Sequence, residues 1–219
     1  MPNKNTKLAT QRTEAFDQLY RDKLLGNYET VSGGGATLAN SSRMRRGLGE
    51  FLSWNINTVL DIGCGDFNWQ QTMALDHLRW LAVDIVPEML EENRRRHQHQ
   101  NLSFARLDIV TTVPPAHDLV ICRDLFTHFN HADTKAALRH IRLSGSQLLA
   151  ATSYYPHIGH QKMRASYEKS MNSNASSGYW RPVQLQLPPY HLPPPIFSIL
   201  ESSPERALDV WNIVDLPEN

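Results

Sequence analysis

The stretch Val59–Trp69, VLDIGCGDFNW, decides the fold, because an apolar strand-like run ends in an acid and two glycines follow. Asp61 closes the run, and Gly63 and Gly65 stand one residue apart beyond it. In open α/β sheets, ligands bind beyond the carboxyl ends of the strands, where glycine lets the backbone come close. No Gly-Lys-Ser/Thr follows, and Asn68 occupies the third glycine position of the dinucleotide-binding pattern. The loop therefore predicts another kind of ligand site, with a plain tight turn as the alternative.

Strand-like and helix-like segments alternate around this loop. Short apolar runs typical of buried strands lie at 58–62, 79–85, 101–109, 117–124 and 146–153. Helices are predicted at 87–98, at 131–143 and over an amphipathic stretch at 67–77. This alternation favours an α/β fold, with a parallel sheet that is covered by helices on both faces. Two last runs, at 196–202 and 206–213, predict a terminal hairpin.

Charge balance and hydropathy argue against several classes of protein. Lys plus Arg and Asp plus Glu number 22 each, so no overall field attracts nucleic acid. The first dozen residues lack the apolar run that a signal peptide would show, and no stretch approaches the ~20 apolar residues of a membrane span. Cys64 and Cys122 make no disulfide or zinc pattern, and the histidine pairs at 97–99 and 157–160 lack a third ligand. We expect a cytoplasmic protein, a monomer or homodimer, without a metal, nucleic-acid or membrane partner.

Composition divides the chain into an extension and a larger domain. Residues 1–55 contain a predicted helix over 13–25 and then a glycine- and serine-rich segment, which we interpret as a helical lid. Residues 56–219 form the main domain. Within that domain, 154–195 is rich in serine, asparagine and proline, and we interpret it as an insertion on the substrate side.

Three acids stand at successive strand ends, and together they suggest a ligand. Asp84 follows Gly65 by 19 residues, where an acid can bind both hydroxyls of a ribose. Asp108 can accept a hydrogen bond from an adenine amino group, and Asp61 suits an ammonium group but would repel a pyrophosphate. For Asp84 or Asp108 alone, a plain strand-end or helix-cap aspartate would be the favoured explanation. S-adenosylmethionine reconciles all three, since it combines ribose, adenine and a cationic amino-acid end.

Four segments, "VLDIGCG", "AVDIVPEMLEENRRR", "ARLDI" and "DLVICRDLFTHF", carry a resemblance to the class I S-adenosylmethionine-dependent methyltransferases over residues 56–153. The resemblance implies a Rossmann-like, doubly wound sheet of seven strands whose last strand is antiparallel. It also implies S-adenosylmethionine as cofactor and S-adenosylhomocysteine as product. The implied contacts are the methionine end with Asp61, Gly63 and Gly65, the ribose with Asp84 and Ile85, and the adenine with Asp108 and Ile109.

Three further segments, "CGDFNW", "RDLFTHF" and "GYWRPVQLQLPPYHLPPP", resemble a bacterial subgroup of these enzymes. The chain departs from the subgroup at Gln184 and Tyr190, where asparagine and phenylalanine are usual. Asn172-Ser173-Asn174 lacks the usual acid of an Asn-x-Asp segment. These departures lie on the substrate side, so they bear on the acceptor and not on the cofactor.

The segment after the fourth strand is predicted to line the pocket and to supply a base. Asp124 and His128 lie one helical turn apart if that segment is helical, so both can face one site. We favour Asp124 as base or substrate clamp and His128 as the second candidate. The alternative is that Asp124 caps the following turn and His128 is partly exposed.

Other polar and aromatic residues are candidates for binding. Arg123 and Arg45 can pair with the carboxylate of the cofactor, although an ordinary ion pair or a solvated surface position explains each equally. The candidates on the substrate side are Tyr154, Trp180, Arg181 and Tyr190.

These residues favour an enzyme that methylates a small polar acceptor, a hydroxyl of a saccharide or secondary metabolite. N-methylation, or methylation of a protein or RNA side chain, is the first alternative. The second is a non-catalytic module that binds S-adenosylmethionine. A nicotinamide enzyme is disfavoured by Asp61 and Asn68.

Overall fold

The computed structural model describes residues 4–24, 26, 29–155 and 161–218. The strands are β1 (Thr58–Ile62), β2 (Arg79–Asp84), β3 (Leu102–Arg106), β4 (Leu119–Cys122), β5 (Leu148–Tyr154), β6 (Phe197–Leu200) and β7 (Arg206–Asn212). The α-helices are α1 (Lys4–Arg21), α2 (Leu38–Leu52), α3 (Pro87–Arg96), α4 (His131–Leu143) and α5 (Gln161–Ser170).

All seven strands join one sheet in the order β3-β2-β1-β4-β5-β7-β6. Neighbouring strands from β1 to β5 run parallel, with Asp61 of β1 opposite Ala82 of β2. β7 runs antiparallel to both of its neighbours, β5 and β6. The predicted doubly wound α/β fold with an antiparallel last strand is therefore confirmed.

Successive residues of the central strands enter two different cores, because side chains alternate across a sheet. Val59 packs in the layer that contains Met44 and Leu48 of α2. Leu60, the next residue, packs in the layer that contains Ala137 and Ile141 of α4. Burial on both faces explains why these strands read as nearly continuous apolar runs.

The helix predicted over 67–77 is wrong. Only Gln70–Thr72 forms a 3₁₀ turn there. Phe67 has a φ of 59°, a left-handed conformation that interrupts a helix. Its ring packs edge-on against Trp80, with 6.4 Å between the ring centroids. Together with α2, the buried rings of Phe67 and Trp69 cover the sheet where the helix was expected.

Two strands end earlier than predicted, which places the candidate acids in loops. β3 ends at Arg106, two residues before Asp108, and β4 ends at Cys122, two residues before Asp124. Asp124 has a φ of 57°, and Phe126–His128 forms a 3₁₀ turn instead of the α-helical turn considered above. No helix among the described residues is long and apolar enough to cross a membrane.

Candidate active site

A cavity lies at the carboxyl ends of the strands, and α1 supplies one of its walls. Residues of α1 on the wall are Arg12, Phe16, Leu19 and Tyr20. Of the predicted site residues, those on the wall are Gly63, Gly65, Asp84, Ile85, Asp108, Ile109, Arg123, Asp124 and His128. Those outside it are Asp61, Arg45, Tyr154, Trp180, Arg181 and Tyr190. The cavity is therefore built mainly from the loops that the sequence identified.

The glycine loop has no room for side chains. Gly63 has a φ of 75°, and a Cβ there would lie 2.9 Å from Cδ1 of Leu125. Gly65 has a φ of 59°, and a Cβ there would lie 2.2 Å from Oγ of Ser32. Both left-handed conformations favour glycine, and both contacts exclude a larger residue. The backbone of this loop can therefore approach a ligand closely.

Asp84 fixes the backbone around the end of β2. One carboxylate oxygen accepts from the Gly65 N–H at 3.1 Å, and the other accepts from the Ile85 and Val86 N–H groups at 2.7 and 3.2 Å. Burial raises the pKa of the Asp84 carboxyl, and these three hydrogen bonds oppose the shift. The side chain thus orders two loops and still lines the cavity, as a ribose-binding acid would require.

Asp61 lies behind the cavity wall, and Gln70 stands in front of it. The Nε2 group of Gln70 donates to Oδ2 of Asp61 at 2.8 Å and to the Cys64 carbonyl at 2.9 Å. Burial raises the pKa of Asp61 to about 7, although the hydrogen bond from Gln70 opposes the shift and the Asp84 carboxylate adds to it. The acid predicted to meet the ligand directly is therefore off the cavity wall, and a side chain that sequence reasoning missed, Gln70, lines the cavity instead.

The raised pKa of Asp61 predicts a pH-dependent cost to stability. A native pKa above the ordinary 3.8 gives stability that is present at low pH and lost as pH rises through about 7. At about 1.4 kcal/mol per pKa unit, the loss between pH 5 and 8 is about 2–3 kcal/mol. Urea unfolding at both pH values is expected to show this loss in the wild type and not in Asp61→Asn. Asp84 and Arg123 are present in both proteins, so their titration cannot cause a difference between the two. An equal change of stability with pH in both proteins would contradict the prediction.

Asp108 is bound by a residue from the N-terminal extension. Arg12 of α1, 5% exposed, donates to Asp108 at 2.5 Å and to Asp133 at 3.0 Å. The other Asp108 oxygen accepts from the Val110 N–H at 3.0 Å. Both oxygens predicted to receive the adenine amino group thus already have partners. The ion pairs hold α1 against the loops that follow β3 and precede α4; the interpretation of residues 1–55 as a lid stays a prediction.

Four charged side chains of alternating sign form a buried ring next to the cavity. Arg123 donates twice to Glu201, each time at 2.9 Å. Arg206 donates to Glu201 at 3.1 Å and to both oxygens of Asp124 at 3.2 Å. Arg123 closes the ring to Asp124 at 3.5 Å. Because two positive charges face two negative charges, the ring has no net charge. Asp124 and Arg123 are the members of the ring that line the cavity.

The glycine-rich segment packs directly on this ring. The Gly35 carbonyl accepts from Nη2 of Arg123 at 2.8 Å. A Cβ on Gly35 would lie 2.7 Å from Asp124 and 3.0 Å from Arg206. Asp66 anchors the start of the segment by accepting from the hydroxyls of Thr30 and Ser32. The segment is therefore bound to both the glycine loop and the charge ring.

Asp124 is poorly suited to accept a proton. Burial alone would raise the pKa of its carboxyl, but the positive charges of Arg206 and Arg123 outweigh burial and hold it below 3.8. The carboxylate is therefore ionised at neutral pH, and its lone pairs are engaged by guanidinium groups.

The imidazole of His128 is better suited than the Asp124 carboxylate to accept a proton. Burial lowers the pKa of its imidazole, while the Asp124 carboxylate and a hydrogen bond with the Gly178 backbone oppose that shift. Its Nδ1 has no hydrogen-bond partner among the described residues. The ring lines the cavity and packs edge-on against Phe16 of α1, with 6.5 Å between centroids. A neutral imidazole at the cavity wall can accept a proton.

Two arginines predicted to bind the cofactor carboxylate have other partners. Arg45 lies outside the cavity and donates to Ser41, Thr72 and the Leu38 carbonyl. The predicted contact of Arg45 with the cofactor carboxylate is not supported, because the side chain runs along the surface of α2 towards Thr72. Arg123 lines the cavity, but Glu201 holds it in the ordinary ion pair considered as the alternative.

Aromatic rings form a cluster outside the cavity wall, among the residues predicted to bind the substrate. Tyr154, Tyr167 and Trp180 contact one another, with ring centroids 5.6–5.8 Å apart. Trp180 is 45% exposed, whereas Tyr154 is buried and its hydroxyl lies 3.5 Å from Nη1 of Arg206. Tyr154 and Trp180 are thus brought together next to the charge ring, with an apolar surface open to solvent.

Arg181 and Tyr190 take part in the core, not in the cavity wall. Arg181 donates to the Phe129 carbonyl at 2.5 Å and to the Tyr190 hydroxyl at 2.8 Å. The ring of Tyr190 packs edge-on against His131. Both side chains are almost fully buried. They support the turn that carries His128, because the Arg181 N–H also donates to the Thr127 carbonyl at 2.9 Å.

Within the described part of the chain, no three His, Cys, Asp or Glu side chains come together as a metal site. The histidine pair at 157–160 lies outside the described residues. Of the other pair, His99 contacts Asp76 at 3.1 Å.

Comparison with known proteins agrees with this geometry. Residues 59–144 match the family model described as a methyltransferase domain. A malonyl-[acyl-carrier protein] O-methyltransferase from Acetivibrio thermocellus is 31% identical over 118 residues, 50% of this chain and 40% of the relative. Residues 59–144 therefore belong to a methyltransferase domain, and the sheet has the fold of the class I S-adenosylmethionine-dependent methyltransferases. It spans about two fifths of the length of the curated relative that it matches.

Solved structures share the fold of the methyltransferase domain well beyond the matched residues. Magnesium protoporphyrin IX methyltransferase from Synechocystis PCC 6803, with bound SAH, has a TM-score of 0.61 at 14% identity. That match covers 91% of this chain and 93% of the other. N-methyltransferase NodS from Bradyrhizobium japonicum WM9 has a TM-score of 0.52 at 17% identity and covers 68% and 77%. At these identities the likeness shows the fold.

Proposed function

We propose that this protein transfers a methyl group from S-adenosylmethionine to a hydroxyl of a small polar acceptor, a saccharide or secondary metabolite. The observation that supports this is one cavity with two kinds of wall. One wall has the glycine loop and Asp84, which suit the cofactor, and the other has neutral His128, which suits an acceptor that must lose a proton. The O-methyltransferase activity of the Acetivibrio relative supports an oxygen acceptor.

The residues present fit the cofactor. Side chains are excluded at Gly63 and Gly65, as a close approach requires. Asp84 would hold the ribose, while Ile85 and Ile109 would flank the nucleoside. When bound, S-adenosylmethionine supplies a methyl group on a sulfonium that is already activated for in-line displacement.

The protein's own contribution is then alignment, exclusion of water and removal of one proton. Phe16 and Leu19 of α1 and Phe129 line the cavity with apolar surface, which keeps water out. Positioning of this kind can contribute up to about 7–11 kcal/mol. The imidazole of His128 would accept the hydroxyl proton, and ionised Asp124 would stabilise the imidazolium that results.

The aromatic cluster supports a saccharide or metabolite ring as acceptor. Trp180 and Tyr167 present ring faces beside the charge ring, and such faces pack well against the apolar face of a sugar or a planar metabolite. The formal net charge of zero offers no general attraction for nucleic acid.

A second candidate is N-methylation of a small amine. Ionised Asp124 on the cavity wall favours it, since a carboxylate attracts an ammonium group as the substrate enters.

The experiment that tests both candidate functions is calorimetric binding of S-adenosylmethionine and S-adenosylhomocysteine, followed by methyl transfer from labelled cofactor to pooled glycosides, phenols and amines. Binding without transfer to any pool would favour the non-catalytic module.

His128→Ala is expected to lower kcat for a hydroxyl acceptor by about 10²–10⁴-fold, because the base is lost. Affinity for S-adenosylhomocysteine should change less than about threefold, since the cofactor wall is intact. His77→Ala, an exposed histidine outside the cavity, is the matched control. An unchanged kcat in His128→Ala would exclude His128 as the base, and a preserved rate on amines alone would favour the second candidate.

A further inference from the structure

Gln70 carries a buried acceptor without a donor. The side chain lines the cavity and is 1% exposed. Its Oε1 atom has no hydrogen-bond partner in the protein. Buried polar atoms nearly always have partners, so an orphaned one on a cavity wall indicates that a ligand completes its hydrogen bonding.

The orientation of the Gln70 amide is fixed by its other end. Nε2 donates to the Asp61 carboxylate and to the Cys64 carbonyl, and neither of these can donate in return while Asp61 is ionised. Reversing the amide would place Oε1 against two acceptors. The Cys64 carbonyl, which can only accept, and the ionised Asp61 carboxylate together determine that an acceptor, and not a donor, is left over for the ligand.

We propose that Gln70 binds the ammonium group of the cofactor's amino-acid end through Oε1, and that Asp61 is a positioning residue that holds the amide in this orientation. An ammonium group has three donors and no acceptor, so it matches Oε1, whereas a carboxylate would be repelled by it. This inference rests on the proposed use of S-adenosylmethionine. In this assignment a neutral amide, that of Gln70, contacts the ammonium group. Asp61 contacts the other end of that amide and does not meet the ligand.

The surroundings of the pair are consistent with a cationic ligand group. Asp84 raises the pKa of Asp61 by its negative charge, and Arg123, the nearby cation, acts in the opposite direction. Arg123 is itself neutralised by Glu201. Cys64 and Cys122 are buried, and burial raises the pKa of both thiols, so neither adds a charge at neutral pH. The nearby charges therefore favour a cation over an anion in front of Gln70.

Three ligands separate the ammonium contact from other effects. S-adenosylhomocysteine has both the ammonium and the carboxylate, its decarboxylated aminopropyl analogue has the ammonium alone, and 5′-methylthioadenosine has neither. Calorimetry with Gln70→Met is expected to show about 10-fold or greater weakening for the first two ligands, as loss of a charge-assisted hydrogen bond implies. Binding of 5′-methylthioadenosine should change less than about twofold. Gln71→Met, the exposed neighbour, is the matched control.

Asp61→Asn supplies a second test that keeps Gln70. Its side-chain amide can either donate or accept, so this neighbour no longer holds Gln70 in one orientation, and the same two ligands should weaken while 5′-methylthioadenosine does not. Thermal unfolding of each variant checks that it is folded. Equal weakening for all three ligands, or weakening for S-adenosylhomocysteine alone, would overturn the assignment. Absence of binding by the wild type would overturn the proposed function, and this inference with it.

Discussion

Glu201→Gln is expected to lower the free energy of unfolding by about 3–5 kcal/mol, the largest effect on stability among these predictions. Glu201 is fully buried and accepts from both Arg123 and Arg206. Removing its charge leaves two buried guanidinium groups facing only Asp124. Because the low dielectric of the interior does not screen that excess positive charge, the folded state loses stability.

Glu218→Gln provides the matched control for this experiment. Glu218 also pairs with an arginine, Arg142 at 2.7 Å, but its side chain is 83% exposed. An exposed pair of this kind contributes about 0–1 kcal/mol. Urea unfolding of both variants measures the difference. Equal losses would show that the ring is no more important to stability than a surface ion pair.

Asp84→Ala is expected to weaken S-adenosylhomocysteine binding by about 100-fold or more, the largest effect on cofactor affinity. Two charge-assisted hydrogen bonds to ribose hydroxyls would be lost, each worth about 1.5–3 kcal/mol. The Gly65, Ile85 and Val86 N–H groups would also lose their common acceptor. Both losses affect the same wall of the cavity.

Calorimetry on Asp84→Ala, Asp84→Asn and Asp76→Ala measures this effect. Asp76 is a control because its side chain is 93% exposed and contacts His99 far from the cavity wall. The asparagine variant keeps one acceptor, so its affinity should fall between those of the wild type and the alanine variant. Unchanged affinity in a folded Asp84→Ala would place the ribose elsewhere and contradict the reading of the glycine loop.

The charge ring connects the glycine-rich segment around Gly35 to the cavity wall. Gly35 contacts Arg123, and Arg123 and Arg206 hold Asp124, which faces His128's side of the cavity. The groups proposed to handle the acceptor proton are therefore packed, through the ring, against the glycine-rich segment.

The sequence by itself determined the fold and the location of the cavity. Strands that are buried on both faces must be apolar at almost every position, so β1, β2, β4 and β5 are readable as short runs. A parallel sheet places their carboxyl ends together, so Gly63, Gly65 and Asp84 could be assigned to one site from their positions in the chain. The failed helix at 67–77 shows the limit of pattern reading, since a left-handed Phe67 leaves no periodic signal.

Tertiary structure alone decided what each polar group contacts. Arg12 reaches Asp108 across 96 residues, and Arg123 reaches Glu201 across 78. Gln70 stands between Asp61 and the cavity only because residues 67–72 do not form a helix. Ion pairs and hydrogen bonds between distant segments follow from packing geometry, and no local pattern records them. For that reason the sequence could predict Asp124 as base or substrate clamp and His128 as the second candidate, but it could not show that two arginines surround Asp124, which is why we propose His128 as the base.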